Sequence, residues 1–426
     1  MAKAWIPAFA GMTHAARYGL AAVVALAACA APSAIPARAP AAPAPLVRGN
    51  DARLLIDGPQ THGAMFGAME RARDHINLET YILEGGEIGR RVLRIVAEKV
   101  RQGVKVNILY DGVGSISTPK EYFEQLKAAG AALCDFNPVN PAKAKRGWDI
   151  NNRNHRKITV VDGKVAFTGG INISSTYSSG SRSARPPQAV KAGEKTDRGW
   201  RDTDVEAEGP VVARFQHLFL DAWAQEKCPP IAGARYFPDL KPQGTMPMRV
   251  VSADPEAGTS EMYHALLDAI GKAKERVWLT IGYFVPDPGT VQALVAAAQR
   301  GVDVRLVLPG VSDFWAPVYA GRSHYAELLA AGIKIYEWRQ AVMHAKTAVI
   351  DSSWASVGST NLDWRSIVHN YEADLIVYDP GFSRALARRF EADTRASVEI
   401  TAEKWSHRGL AQRTKEWLAR CWEYFL

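Results

Sequence analysis

His155-Arg-Lys157-Ile-Thr-Val-Val-Asp162 and His344-Ala-Lys346-Thr-Ala-Val-Ile-Asp351 put an imidazole, an ammonium and a carboxylate at one spacing, twice in the same chain. A glycine and an asparagine follow each at the same offset: Gly169 and Asn172, then Gly358 and Asn361. Each stretch reads as a strand, a tight turn that begins at the aspartate, and a returning strand. Side chains alternate faces along a strand, so His155 and Lys157 point one way, as do His344 and Lys346. His155, Lys157, Asp162, His344, Lys346 and Asp351 form the candidate catalytic set. Within it, Asp162 and Asp351 have the opposite parity and open the turn, which makes them structural supports rather than reacting groups. Glycine lets the returning strand approach closely, and Asn172 and Asn361 follow as short amide donors suited to phosphate.

One such hairpin is half a site, a nucleophile without an acid. Two face to face supply two imidazoles, two ammoniums and two amides around one small volume, a set that suits a phosphodiester. Lysines and asparagines would neutralise and hydrogen-bond the non-bridging oxygens, a task that metal ions perform elsewhere. One histidine attacks phosphorus to form a phosphohistidine. The other protonates the leaving oxygen and then deprotonates the incoming hydroxyl. Two imidazoles that start alike must be given different pKa values, which calls for oriented carboxylates. Asp202, in Trp200-Arg-Asp-Thr, and Glu372, in Asn370-Tyr-Glu, fall at comparable places downstream of the two motifs. Each is expected to hydrogen-bond a histidine.

The elements that carry these motifs also repeat. Ile76-Asn-Leu-Glu-Thr-Tyr81, a helix, and Gln102-Gly-Val-Lys-Val-Asn-Ile-Leu-Tyr-Asp111 return as Val277-Trp-Leu-Thr-Ile-Gly-Tyr283, a helix, and Arg300-Gly-Val-Asp-Val-Arg-Leu-Val-Leu-Pro309. A further helix and strand follow in each half. Strands alternating with helices predict α/β domains with largely parallel, buried sheets, one over residues 50–230 and a second over 245–400. The tail 401–426, with Trp405, Leu410, Trp417, Leu418 and Trp422 among basic residues, is expected to be a helix covering the core rather than lying on a membrane. Trp315, Tyr319 and Trp338 are the other candidates for a bilayer interface, with core packing expected for at least two of them.

Composition sets the frame. The 426 residues carry 52 Lys and Arg against 44 Asp and Glu, a formal charge of +8, and 47% are hydrophobic. This is a folded chain with a surface that draws anions, whether polynucleotide, anionic lipid or phosphorylated small molecule. Residues 1–29 read as a signal peptide, whose Leu26-Ala27-Ala28-Cys29 box would make Cys29 a lipidated N-terminus. The Ala/Pro segment 30–49 reads as a stiff tether. Cys134, Cys228 and Cys421 show no CxxC spacing and read as core or incidental thiols, with a Cys134–Cys228 disulfide open in an oxidising compartment; no metal ligands are expected. Residues 174–199, rich in serine with Arg182, Arg185 and Pro186-Pro187, have no counterpart after Asn361, and are expected to border the acceptor or membrane approach.

The doubled motif resembles that of the phospholipase D superfamily, from about residue 50 to 400. Within it the chain is most similar to bacterial cardiolipin synthases, through Leu109-Tyr-Asp-Gly-Val-Gly-Ser115, Trp200-Arg-Asp-Thr203, Leu308-Pro-Gly-Val-Ser-Asp313, Gly358-Ser-Thr-Asn-Leu-Asp363 and Asn370-Tyr-Glu372. The resemblance implies two similar α/β domains packed with the active site at their interface, and a metal-independent ping-pong transfer without cofactors. It assigns His155 as nucleophile and His344 as acid/base. The expected partners are phospholipid substrates at a membrane surface, and a monomer suffices because both motifs lie in one chain. Hydrolysis to phosphatidic acid is the nearest alternative. A nuclease would favour a basic groove interleaved with aromatics; no such stripe is present, and nucleic acid is not expected. The signal and lipobox, where the synthases carry transmembrane helices or no anchor, place the protein in the cell envelope, anchored through Cys29 and facing the periplasm.

Overall fold

A computed structural model of the chain describes residues 42–140, 142, 149–181 and 199–426. The predicted signal peptide, Cys29, most of the Ala/Pro tether and most of the serine-rich insertion lie outside the described residues. The first half runs β1 (Val47–Ile56), α1 (Asp57–Arg71), β2 (His75–Thr80), α2 (Glu87–Arg101), β3 (Lys105–Asp111), α3 (Lys120–Ala128), β4 (Ala132–Phe136), β5 (Arg153–Asn154), β6 (Ile158–Val161), β7 (Val165–Gly169), β8 (Thr203–Glu208) and α4 (Val212–Gln225). The second half runs β9 (Met246–Asp254), β10 (Thr259–Ser260), α5 (Glu261–Lys272), β11 (Arg276–Ile281), α6 (Pro288–Gln299), β12 (Asp303–Pro309), α7 (Trp315–Arg322), α8 (Tyr325–Ala330), β13 (Lys334–Trp338), β14 (Lys346–Ile350), β15 (Trp354–Gly358), α9 (Trp364–Val368), β16 (Asn370–Val377) and α10 (Pro380–Arg395). β17 (Val398–Ile400), α11 (Ala402–Ser406) and α12 (Leu410–Arg420) close the chain.

The sheets are mixed, which corrects the expectation of largely parallel ones. β2, β3 and β4 are parallel neighbours, but β2–β6, β6–β7, β7–β8 and β8–β1 are antiparallel. The second half repeats this order with β11, β12 and β13 parallel and β11–β14, β14–β15, β15–β16 and β16–β9 antiparallel. Helical crossovers make the parallel part, whereas the tight turns at Asp162 and Asp351 can only join antiparallel strands. β1 also pairs with β9, so Val47 to Asn50 stitch the two sheets together.

Each half has its own apolar core, one around Phe66, Ile76, Val92 and Ile108 and one around Leu266, Leu279, Leu294 and Leu306. A third cluster joins Val160, Ala166 and Val205 of the first sheet to Val357, Ala373 and Leu375 of the second. Burial of this extent fixes one half against the other, as two loosely tethered domains would not be fixed. Cys134 on β4 and Cys228 just beyond α4 form a disulfide with Cα atoms 5.5 Å apart, and no described cysteine is a free thiol. The sequence leaves the pairing of Cys134 with Cys228 possible without arguing for it. Their separation of 94 residues hid a contact that only packing of α4 under β4 creates.

Candidate active site

The strand that follows each motif delivers its carboxylate to the other half of the molecule. His155 Nδ1 lies 2.9 Å from Glu372 Oε1, and His344 Nδ1 lies 2.7 Å from Asp202 Oδ2. The backbones cross in the same sense: His155 N–H donates to the Tyr371 carbonyl at 2.9 Å, and His344 N–H donates to the Arg201 carbonyl at 2.8 Å. Nδ1–H given to a carboxylate fixes the tautomer and leaves each Nε2 with its lone pair for reaction. Sequence reasoning paired each histidine with a carboxylate; the structure adds that both pairs are reciprocal across the halves.

The ammoniums sit with the imidazoles. Lys157 Nζ donates to the His155 carbonyl at 2.5 Å, and Lys346 Nζ donates to the His344 carbonyl. All four side chains are buried, close enough that each half's charges act on the other's. Burial pushes His155 well below the usual imidazole range, helped by Lys157, Lys346 and His344. Burial and Lys346 take His344 down to about 4, against the pull of Asp202. Lys157 falls to about 7, again first through burial, and Lys346 is also lowered. Positive charges crowded into a dry volume are a standing attraction for a phosphate oxygen.

The two carboxylates differ. Glu372 is raised to about 7 by burial, although Lys157, Ser359 and Asn370 favour its anion. Burial also opposes ionisation of Asp202, but His344 and Lys346 outweigh it and hold that carboxyl below its usual range. Ser359 Oγ donates to Glu372 at 2.6 Å, whereas its counterpart Gly170 faces Asp202, where an added Cβ would stand 2.2 Å from Oδ1. That close approach explains why the repeat reads Gly-Gly in one half and Gly-Ser in the other.

Asp162 and Asp351 lie away from this volume, which removes them from the candidate catalytic set. Asp162 accepts the backbone N–H groups of Arg73, Asp74 and His75, and Asp351 those of Lys274, Glu275 and Arg276. Both adopt left-handed backbone, at φ 54° and 50°, as the hairpin turn requires. Asn172 and Asn361 are buried beside the site with Oδ1 accepting from Ile82 N at 3.0 Å and Tyr283 N at 3.3 Å. Each amide therefore anchors the backbone that follows the strand opposite its own motif.

Several residues at the site were not singled out from sequence. Tyr177 Oη is 3.3 Å from His344 Nδ1, and Trp200, Tyr177 and Tyr283 ring His344. Tyr81 stands edge-on to His155 and under Lys157. Asp204 and Asp374, each two residues past the histidine partner, are fully buried and raised by burial. Their matched offset from Asp202 and Glu372 was a signal that the repeat offered. Arg201 is buried against Asp393 of α10 at 2.8 Å, which clamps the segment bearing Asp202, just before β8, to the second half.

Comparison with known proteins places this arrangement. The model of the cardiolipin synthase phospholipase D-like domain matches residues 65–182 and 266–394. The chain belongs to the cardiolipin synthase family. It is 35% identical over 380 residues to a cardiolipin synthase of Geobacillus kaustophilus, covering 88% of this chain and 72% of that one. It is 35% identical to cardiolipin synthase A of Pseudomonas fluorescens, covering 84% and 72%. Among solved structures, the phosphatidylserine synthase of Haemophilus influenzae shares the fold at TM-score 0.62 and 13% identity, over 90% of this chain and 94% of that one. The expected resemblance and the α/β fold class are therefore shown.

Proposed function

We propose that this cardiolipin synthase family member moves a phosphatidyl group from phosphatidylglycerol, through a phosphohistidine, to the glycerol hydroxyl of a second phosphatidylglycerol at a membrane surface. The reciprocal pairing of His155 with Glu372 and His344 with Asp202 carries the reading, because it leaves both Nε2 atoms for reaction in imidazoles close enough to act on each other. His155 Nε2 attacks phosphorus, and the bond from phosphorus to the glycerol oxygen breaks. His344 gives that oxygen its proton, and glycerol leaves. The neutral His344 then takes the proton of the acceptor hydroxyl, whose oxygen displaces His155 and yields cardiolipin.

The inequality of the carboxylates supports this order of roles. An ionised Asp202 pulls His344 toward the imidazolium form that an acid requires, against the burial that takes it down to about 4. Glu372, near 7, lends His155 less negative charge and leaves it neutral, as a nucleophile requires. Lys157, Lys346, Asn172 and Asn361 are assigned to the non-bridging oxygens, and Glu372 and Asp202 position the imidazoles.

Incubating the purified protein with phosphatidylglycerol tests the proposal. Cardiolipin and glycerol in equal amounts are expected, and phosphatidic acid as the main product would make the enzyme a hydrolase instead. Location in the envelope, with anchoring through Cys29, remains part of the proposal. No described helix is long and apolar enough to cross a membrane.

A further inference from the structure

The C-terminal segment covers the core with only one of its faces. Trp405 of α11 is buried against Tyr325, and Ala419 of α12 packs with Ala320 of α7 and Val285. On the opposite face of α12, Leu410 is 80% and Trp417 63% exposed, with Leu418 beside them. The tail expected to form a helix covering the core is two helices, α11 and α12, that leave this face uncovered. α7 packs along α12 and adds Trp315, 57% exposed, with Phe314 just before it. Of the aromatics singled out from sequence, Trp338 is buried and Tyr319 is sandwiched between Trp315 and the ammonium of Lys415.

Soluble chains seldom leave so many large apolar side chains exposed on two helices packed against each other. The polar rim indicates the occupant. Arg413, Lys415 and Arg420 of α12 are exposed, and the one acidic residue on that helix, Glu416, is buried and paired with Arg408 at 2.9 Å. Tryptophan and leucine bounded by cations, with no exposed acid on the helix, match an anionic bilayer interface. The patch is also continuous with the site. Tyr283, edge-on to His344, donates its hydroxyl to Asp313 at 2.6 Å, and Asp313 leads into Phe314 and Trp315. Asp313 is close enough to act on Lys346.

We infer that the face formed by Phe314, Trp315, Leu410, Trp417 and Leu418 is the docking surface for an anionic lipid bilayer, seating the mouth of the site on the membrane that supplies its substrate. The inference rests on the phosphatidyl-transfer reading, and its test separates the two. The full chain and a Trp315→Ala/Trp417→Ala/Leu418→Ser variant are compared by sedimentation with vesicles of phosphatidylcholine and phosphatidylglycerol. Both are also assayed for turnover of short-chain phosphatidylglycerol kept below its micellar concentration. The variant is expected to bind vesicles at least about tenfold more weakly, as apolar side chains are withdrawn from the interface, with turnover of the monomeric lipid unchanged. Arg413→Gln/Arg420→Gln is expected to lower the preference for anionic over phosphatidylcholine vesicles. Vesicle binding equal to that of the native chain overturns the inference. So does a native dimer that the variant converts to monomer, which would assign the face to a second copy of this chain. If the triple variant does not fold, Trp417→Ala alone, at an exposed position, carries the same comparison. If neither chain turns over any lipid, the transfer reading fails while sedimentation still decides the surface.

Discussion

His155 gives its Nδ1 proton to Glu372, 217 residues further along the chain, with the two oxygens at 2.9 and 3.0 Å. His344 donates likewise to Asp202, which lies in the opposite direction, 142 residues back along the chain. Neither half of the molecule holds both members of either active-site pair, so the chemistry exists only when the two sheets are packed together.

Removing either carboxylate should therefore cost activity while leaving the chain folded. Glu372→Gln frees His155 from its tautomer, and Asp202→Asn does so for His344. By analogy with orienting carboxylates elsewhere, each should lower turnover by about a hundredfold or more. Pre-steady-state kinetics should locate the first defect in formation of the phosphoenzyme. Wild-type burst kinetics in Glu372→Gln would show that this pair does not position the nucleophile.

Glu372 should also trade stability for function. Its folded carboxyl holds a proton up to about 7, against a value near 4.5 when the chain is unfolded. Between those pH values the folded chain binds more protons, so raising the pH costs stability, and the cost is complete above 7. Glu372→Gln removes the buried charge. Thermal denaturation at pH 8 should find it more stable than the native protein by on the order of 2 kcal/mol, with the gain vanishing near pH 4. A variant less stable at pH 8 would contradict the buried, destabilised carboxylate.

Asp162 and Asp351 should behave as supports. Each gathers three backbone N–H groups beneath a hairpin turn, so alanine removes the acceptor they share and meets a left-handed backbone that it tolerates poorly. Each alanine variant should lose about 1–3 kcal/mol in chemical denaturation, with the catalytic constant of the folded fraction retained. Asparagine, at ease in this backbone, should lose less. Loss of the catalytic constant without loss of stability would return these residues to the reacting set.

The Cys134–Cys228 bridge closes a long loop between β4 and the end of α4. Reduction, or Cys134→Ser/Cys228→Ser, should lower stability by about 2–4 kcal/mol, seen as a fall in melting temperature with and without reductant. Equal melting curves would show that the bridge constrains nothing.

Much of the site could be read along the chain because strand periodicity is local. The spacing from His155 to Lys157 and from His344 to Lys346 placed an imidazole with an ammonium, and the opposite parity of Asp162 and Asp351 sent those carboxylates away. The crossing of Glu372 to His155 is not local. It follows from the apolar cluster shared by Val160 and Leu375, and a repeat by itself cannot say whether a partner comes from its own half or the other. The antiparallel strands were implied by the turns at Asp162 and Asp351, but the alternation of helices and strands around them pointed to parallel pairing. Cys134 and Cys228 carry no spacing signal, since only the tertiary fold brings them together.

Trapping the phosphoenzyme tests the central claim most directly. Phosphatidylglycerol labelled at phosphorus, quenched in alkali after milliseconds of reaction, should leave its label on the peptide that contains His155. The label should be absent from His155→Ala, and it should disappear when unlabelled phosphatidylglycerol is added to the native protein. Label on His344 or any other residue, or sustained turnover by His155→Ala, would contradict the account.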